Sequence, residues 1–267
     1  MKVRNSYGQE SQMTDKVLEN AIIIRQEEIA TDVYSMWLRT EQIANLAKPG
    51  QFVALYCTDG SRLLPRPISI CEIDRKDHSI RLVYRVVGKG TEEFSAYHTG
   101  AQLRVVGPLG NGYPKKSKRA LLLGGGIGIP PILQLAKELD SEKTMVLGYR
   151  DERFLEEEFR AQGKVYIATE DGSFGTQGNV LDAIRENGLD GEIIYACGPM
   201  PMLRAVKAFA AERGMECWIS LEERMACGIG ACLGCVCRST KKDAHTHVHN
   251  KRICTEGPVF RAEEVDI

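Results

Sequence analysis

Short apolar or alternating runs fill the first part of the chain. Between Val17 and about Gly112 they read AIIIRQEEI, VYSMWL, QFVALYC, ISICEI, IRLVYRVV and QLRVVG. Turn formers punctuate them at Pro49-Gly50, Asp59-Gly60, Gly88-Lys89-Gly90 and Gly107-Pro108. Short strands broken at regular intervals predict an antiparallel barrel or sandwich. One helical segment is expected here, around Glu92 to Tyr97.

From Arg119 the grammar changes. ALLLGGGIGIPPILQLAKEL reads as a buried strand, a glycine turn and a helix whose first turn carries Pro130 and Pro131, where missing N–H groups cost little. Strands at TMVLGY, KVYIAT, EIIYAC and MECWIS then alternate with helical stretches near Glu156 to Ala161, Val180 to Asn187 and Met202 to Arg213. That alternation predicts a parallel sheet with helices on its faces. The polar stretch Pro114-Lys115-Lys116-Ser117-Lys118 reads as the linker between the two patterns. After Ile219 the periodicity ends, and a cysteine-rich segment runs to Pro258, which a metal would have to supply with a core.

Composition narrows the possible partners. The 267 residues suggest about two domains, and 43% hydrophobic with 27% charged residues is ordinary globular composition. Thirty-five basic against 36 acidic residues leave a net charge of -1, which gives no general attraction to nucleic acid or anionic lipid. The first dozen residues hold no apolar core of signal-peptide length, and no run reaches a membrane span, so a cytoplasmic protein is expected. Nine cysteines, unevenly spread, point to metal ligation and buried thiols rather than a disulfide framework.

Four of those cysteines carry the sharpest chemistry. Cys227, Cys232 and Cys235, followed at a distance by Cys254, have the plant-type spacing of a 2Fe-2S cluster. Gly228, Gly230 and Gly234 between them let the backbone wrap closely and aim N–H groups at sulfur. A structural zinc site is the alternative, although zinc modules usually pair two Cys-x2-Cys knuckles and only one is present. Cys237, two residues beyond Cys235, competes for the fourth position, which is assigned to Cys254 because plant-type sites take that ligand from a distant point.

Two weaker signals accompany the cysteines. Gly124, Gly125, Gly126 and Gly128 stand between a strand and a helix, where a pyrophosphate could approach the backbone, although the plain reading is a tight turn. Cys197-Gly198-Pro199 ends another apolar strand, either at a ligand-binding edge or as a buried thiol before a turn. In the barrel-like half, Arg66-Pro67-Ile68-Ser69, then Tyr84-Arg85 and Gly88-Lys89-Gly90-Thr91, could hold a phosphate through the guanidinium fork and backbone N–H groups. In isolation these are ordinary turn and strand-end residues. A nicotinamide delivers two electrons as hydride and a 2Fe-2S cluster takes one, so a flavin converter is required between them.

Together, Arg66-Pro67-x-Ser69, the GKGT turn, GGGIG with its prolines, CGPM and the cysteine series resemble the ferredoxin-reductase flavoproteins. The chain is most similar, beyond about residue 15, to the family of dihydroorotate dehydrogenase B electron-transfer subunits. The resemblance implies a β plus α/β architecture: an antiparallel β-barrel FAD domain (15–114), a parallel α/β NAD-binding domain (115–220) and a small C-terminal 2Fe-2S module (221–267). It implies that Arg66 and Ser69 hold the flavin, with Pro67 and Ile68 shaping that strand. Val83, Tyr84 and Arg85 would line the ring or ribityl region, and Gly90 and Thr91 would meet the pyrophosphate. Gly124, Gly125, Gly126 and Gly128 with Cys197, Gly198 and Pro199 would form the NAD side. It further implies a catalytic, FMN-containing partner subunit that oxidises dihydroorotate to orotate in pyrimidine biosynthesis, in a heterotetramer of two of each chain. No catalytic residue is then needed in this chain. The small subunit of an NAD(P)H:ferredoxin oxidoreductase or sulfide dehydrogenase shares these cofactors, and a zinc-stabilised nucleotide-binding module is the reading of another class.

Several residues read as structure. Cys57, Cys71 and Cys217 lie in apolar runs as small buried side chains. His245, His247 and His249 are expected in a solvated loop rather than a chelate. Glu222 and Glu223 either touch a ribose or solvate the chain. Glu170-Asp171, after a parallel strand, would favour NAD over NADP by repelling a 2'-phosphate.

Overall fold

The computed structural model describes residues 16–242 and 247–267. Six strands, β1 (Val17–Ala30), β2 (Val33–Arg39), β3 (Phe52–Leu55), β4 (Arg66–Asp74), β5 (Ser79–Arg85) and β6 (Gln102–Leu109), close into a barrel in the order β1-β2-β5-β4-β3-β6. Every neighbouring pair is antiparallel, so the barrel rather than the sandwich is realised. Alternate side chains such as Ile23, Met36, Leu55 and Leu82 fill its interior, as the period-2 pattern requires. Besides the helix Lys89–Ser95, a four-residue helix forms at Ile43–Leu46, which the pattern did not announce. The N–H groups leading into it are capped from the neighbouring strand β1 by the Glu19 carboxylate, at 2.9 Å from Glu41 N and 2.6 Å from Gln42 N. A cap supplied from so far along the chain leaves no local signature.

Six further strands follow: β7 (Ala120–Gly125), β8 (Lys143–Tyr149), β9 (Lys164–Thr169), β10 (Thr176–Gln177), β11 (Ile193–Cys197) and β12 (Glu216–Ser220). They lie parallel in the order β10-β9-β8-β7-β11-β12. The chain steps outward from β7 to β10 and returns on the other side of β7 with β11. The junction of β7 and β11 is therefore the topological switch point of the sheet, where open α/β sheets bind ligands beyond the strands' carboxyl ends.

The cysteine segment is less independent than its lack of periodicity suggests. Beyond the two-stranded ribbon of β13 (Val236–Arg238) and β14 (Asn250–Arg252), β15 (Val259–Arg261) adds antiparallel to the edge of β12. Ile253, Cys254 and Phe260 share one core with Phe52, Ala54 and Leu109 of the barrel and Ile219 of the sheet. Asn111, just past the barrel, staples the segment: its side chain donates to Val259 O at 2.7 Å and accepts from Val259 N at 3.0 Å. The linker stretch is likewise pinned. Tyr113 donates to Ala196 O at 3.2 Å, and Tyr195 donates to Pro114 O at 2.7 Å.

A buried ionic cluster locks barrel to sheet. Arg81 on β5 donates to Glu72 on β4 at 2.6 Å, to Ser35 at 2.8 Å and to Glu158 on the helix Glu156–Arg160 at 3.1 Å. Lys137, on the helix Pro130–Glu138, also donates to Glu72. Both Arg81 and Glu72 are buried, so removing one partner strands the other's charge. Arg81→Met is expected to cost about 3 kcal/mol in urea unfolding, the low end for a broken buried pair because Lys137 remains on Glu72.

Candidate functional site

A cleft of about 400 Å³ opens where barrel, sheet and cysteine segment meet. From the barrel it takes Arg66, Pro67, Ile68, Ser69, Val83, Tyr84, Arg85 and Thr91. Strands β4 and β5 are barrel neighbours, and the turn 88–91 follows β5, so pairing and chain continuity bring these three sequence signals to one wall. A Cβ on Gly90 would stand 2.1 Å from Arg66 Nε, so a larger residue there would displace the Arg66 guanidinium from this wall. Thr91 Oγ1 organises the turn, accepting from Val87 N at 3.0 Å and donating to Gly88 O at 3.0 Å. Tyr84 lines the cleft while its ring is anchored in the barrel core, stacked on Tyr34 at 6.0 Å and edge-on to Phe94 at 6.3 Å.

The opposite wall is drawn from scattered segments, and of its residues only Ile127 lies within a motif. Ile127, at the centre of the glycine turn, and Leu221, Glu222, Glu223 and Met225, beyond β12, close the cleft with Pro258. Glu222 reaches solvent through the opening yet is crowded by protein, and the lost hydration raises its carboxyl pKa. Burial first, and then the nearby Glu222 charge, push the Cys197 thiol far above its ordinary range, which places the end of β11 beside this wall.

Gly124 to Gly128 and Cys197 to Pro199 meet at the switch point. Gly124 pairs with Cys197 across β7 and β11. The two turns touch backbone to backbone: a Cβ on Gly128 would lie 2.5 Å from Cys197 C and O and from Gly198 N. Gly126 has φ +53° with open space around it, so its glycine answers a backbone requirement rather than a packing one. Gly125 and Gly198 both admit Met202 from the helix Met200–Glu212, which Pro199 caps. Close backbone approach beside two helix N-termini suits a pyrophosphate. Glu170 and Asp171 follow β9, two strands out from β7, and the Asp171 carboxylate accepts from Ser173 N at 3.0 Å, which holds its pKa down.

The cysteines gather in pairs. Cys232 N donates to Cys227 Sγ at 3.3 Å, and Cys254 N donates to Cys235 Sγ at 3.4 Å. Burial works to raise the Cys227 pKa, but N–H groups of Cys232, Ile229 and Ala231 outweigh it and favour the thiolate. Two thiolates and two thiolates match the way a 2Fe-2S cluster is held, two to each iron. Cys237 stands apart: the charged groups acting on its thiol are Glu256, Lys251 and Glu223, and no other cysteine is among them. Cys71 and Cys217 are buried and Cys57 is partly exposed. His249 Nδ1 bonds Ser239 O at 3.0 Å, and His245 lies outside the described residues.

Residues 222–266 match the model for the iron-sulfur cluster binding domain of dihydroorotate dehydrogenase B. A dihydroorotate dehydrogenase B (NAD(+)) electron transfer subunit from Fusobacterium nucleatum is 43% identical over 264 residues, covering 94% of this chain and 99% of that protein. The protein of the same name from Shouchella clausii is 42% identical over 253 residues, covering 91% and 96%. Among solved structures, that of an NADH-dependent reduced ferredoxin-NADP oxidoreductase, described with flavin-based electron bifurcation, superposes with a TM-score of 0.84 at 31% identity over 92% of this chain and 89% of that one. A ferredoxin reductase of carbazole 1,9a-dioxygenase, at 22% identity and a TM-score of 0.64, shares the fold. The FAD- and NAD-binding reductase architecture and the iron-sulfur domain thus occur in one chain with near full-length likeness to named relatives. The chain belongs to the family of electron transfer subunits of NAD-dependent dihydroorotate dehydrogenase B.

Proposed function

We propose that the chain holds FAD along the barrel wall of the cleft through Arg66, Ser69, Arg85 and the Gly90-Thr91 turn, with Pro67, Ile68 and Val83 shaping that wall. NAD lies at the switch point on Gly124, Gly125, Gly126, Gly128, Cys197, Gly198 and Pro199, and Cys227, Cys232, Cys235 and Cys254 ligate a 2Fe-2S cluster. When bound, FAD and the cluster supply the exchange between a hydride on NAD and single electrons for a partner.

One observation carries this reading: Met225 lines the cleft, and Cys227 is two residues further on. Two peptide units span at most about 7.6 Å between Cα atoms. The cleft wall and the first cysteine of the ligand loop are thus a single short stretch of chain. Gly228 of that loop faces the barrel, since a Cβ built on it would stand 3.6 Å from Leu109 Cδ1, so the loop lies against the domain that carries the flavin wall. Within the cleft, Ile127 and Met225 present apolar side chains that limit water. Arg66 and Arg85 supply positive charge for a phosphate or a reduced ring, and Glu222 can hold a proton on its carboxyl oxygen.

The outward side of the loop supports docking of a catalytic subunit. Ile229, Leu233 and Val236 stand exposed among the ligand cysteines, Leu233 at 68%. Such an apolar core suits an interface centre. The partner carries FMN, oxidises dihydroorotate and assembles as two of each chain in the cytoplasm; the family resemblance supports these particulars. No helix among the described residues is long and apolar enough to cross a membrane.

Co-purification from the native cell tests the reading. Recovery of an FMN subunit with dihydroorotate:NAD activity is expected, and a large partner of the glutamate-synthase type would overturn it. With the isolated subunits, Leu233→Lys should weaken association by about 2 kcal/mol, roughly thirtyfold in Kd, as for an interface hot spot. NADH should still bleach the flavin of that variant at the wild-type rate.

A further inference from the structure

Thr255 follows the last ligand cysteine and is not used by anything described above. Its Oγ1 is buried without a hydrogen-bond partner, one of only two such side-chain atoms among the described residues. Leaving a buried hydroxyl unpaired costs about 1–3 kcal/mol, so its acceptor calls for identification. A threonine within a longer helix would normally bond back to the carbonyl four residues earlier. That route is closed here, because the helix Ile253–Glu256 has only four residues and the residue in question, Lys251, lies in the extended strand β14.

What surrounds the hydroxyl is the cluster loop. A Cβ built on Gly230, between Cys227 and Cys232, would stand 2.6 Å from Thr255 Cγ2 and 3.6 Å from Oγ1. Arg252 Nη1 donates to Gly230 O at 3.2 Å, which holds that glycine in place. Thr255 Oγ1 therefore stands against the loop that carries Cys227 and Cys232, with no oxygen, nitrogen or cysteine sulfur of the protein accepting its proton.

We propose that the Thr255 hydroxyl donates a hydrogen bond to a bridging sulfide of the cluster, and so sets how readily the cluster takes an electron. The inference rests on the four-cysteine ligand assignment and goes beyond it. Reduction adds negative charge to the sulfurs, and a donor hydrogen bond stabilises the more negative state. The hydroxyl thus raises the tendency of the cluster to accept electrons. Thr255 is a positioning and tuning residue: it ligates no metal and touches no substrate.

The test compares the holo-protein with Thr255→Val, which keeps the shape and removes the donor, and Thr255→Ser, which keeps the donor. Iron and sulfide content are measured first, and the cluster is then titrated by EPR against dyes of known potential. The valine variant should hold the same iron while its reduced fraction at a fixed potential falls about tenfold, equivalent to 59 mV to the negative side for a one-electron couple. The serine variant should stay with the wild type, and the flavin titration should not move in either. A full-iron valine variant with an unchanged potential, or a serine variant displaced as far as valine, would overturn the proposal. If valine fails to hold iron, Thr255→Ala carries the same comparison with space in place of bulk. Absence of iron from the wild type itself would sink the ligand assignment instead, so the two failures are told apart.

Discussion

Cys254→Ser is expected to leave a folded flavoprotein whose iron content falls toward zero and whose reduction of the catalytic subunit drops at least about a hundredfold. Losing an outer-shell partner of a metal already costs roughly 10–100-fold, and a ligand should cost more. Bleaching of FAD by NADH should persist, because the barrel wall and the switch point contain none of the four cysteines. The companion variant decides the identity of the quartet. Cys237→Ser should keep full iron and full transfer, since Cys254 N bonds Cys235 Sγ at 3.4 Å while Cys237 sits on β13, paired with Lys251. Iron and sulfide analysis with visible spectra checks both. Loss of the cluster from Cys237→Ser together with its retention in Cys254→Ser would reverse the assignment.

Gly128→Ala should be nearly as damaging, on the other side of the flavin. Its new methyl would meet main-chain atoms of Cys197 and Gly198 at 2.5 Å, and neither turn has a flexible side chain that could yield. Overpacking of this kind typically costs about 1–3 kcal/mol, and here the relief must come from parting β7 from β11 at their carboxyl ends. The expected result is a lowered Tm together with at least a tenfold rise in the NADH concentration needed to bleach the flavin, on the order of 1.4 kcal/mol. FAD content should be preserved, since the flavin wall on β4 and β5 is not displaced. Wild-type NADH dependence in this variant would remove the switch point from the nucleotide site.

The same residues show why part of the site could be read in advance and part could not. Arg66-Pro67-Ile68-Ser69 and Gly88 to Thr91 are contiguous motifs, and so are GGGIG and CGPM, so local chemistry marked them. Phe52, Met225 and Pro258 belong to none of these motifs, yet all line the same cleft. Nothing in their own segments could place them there. Tyr84 stands inside a recognisable motif and lines the cleft, but only the closed barrel shows that its ring also packs on Tyr34 and Phe94 in the barrel core.

Periodicity, glycine and proline placement and cysteine spacing are local properties of the chain. They alone determined an antiparallel first half, an alternating second half, a nucleotide-type turn and an iron-sulfur ligand series. Tertiary structure decided what these are to one another. Parallel pairing of β7 with β11 joins residues more than seventy positions apart, and the addition of β15 to β12 ties the cysteine segment to the sheet edge. Barrel closure brings β4 and β5 up against the chain leaving β12. Burial of a shared core drives those contacts, and its driving force depends on area removed from water rather than on order along the chain. The spacing of the cysteines therefore specified a cluster, and the fold specified what stands beside it: the cleft through Met225, the buried hydroxyl of Thr255 and an exposed apolar rim.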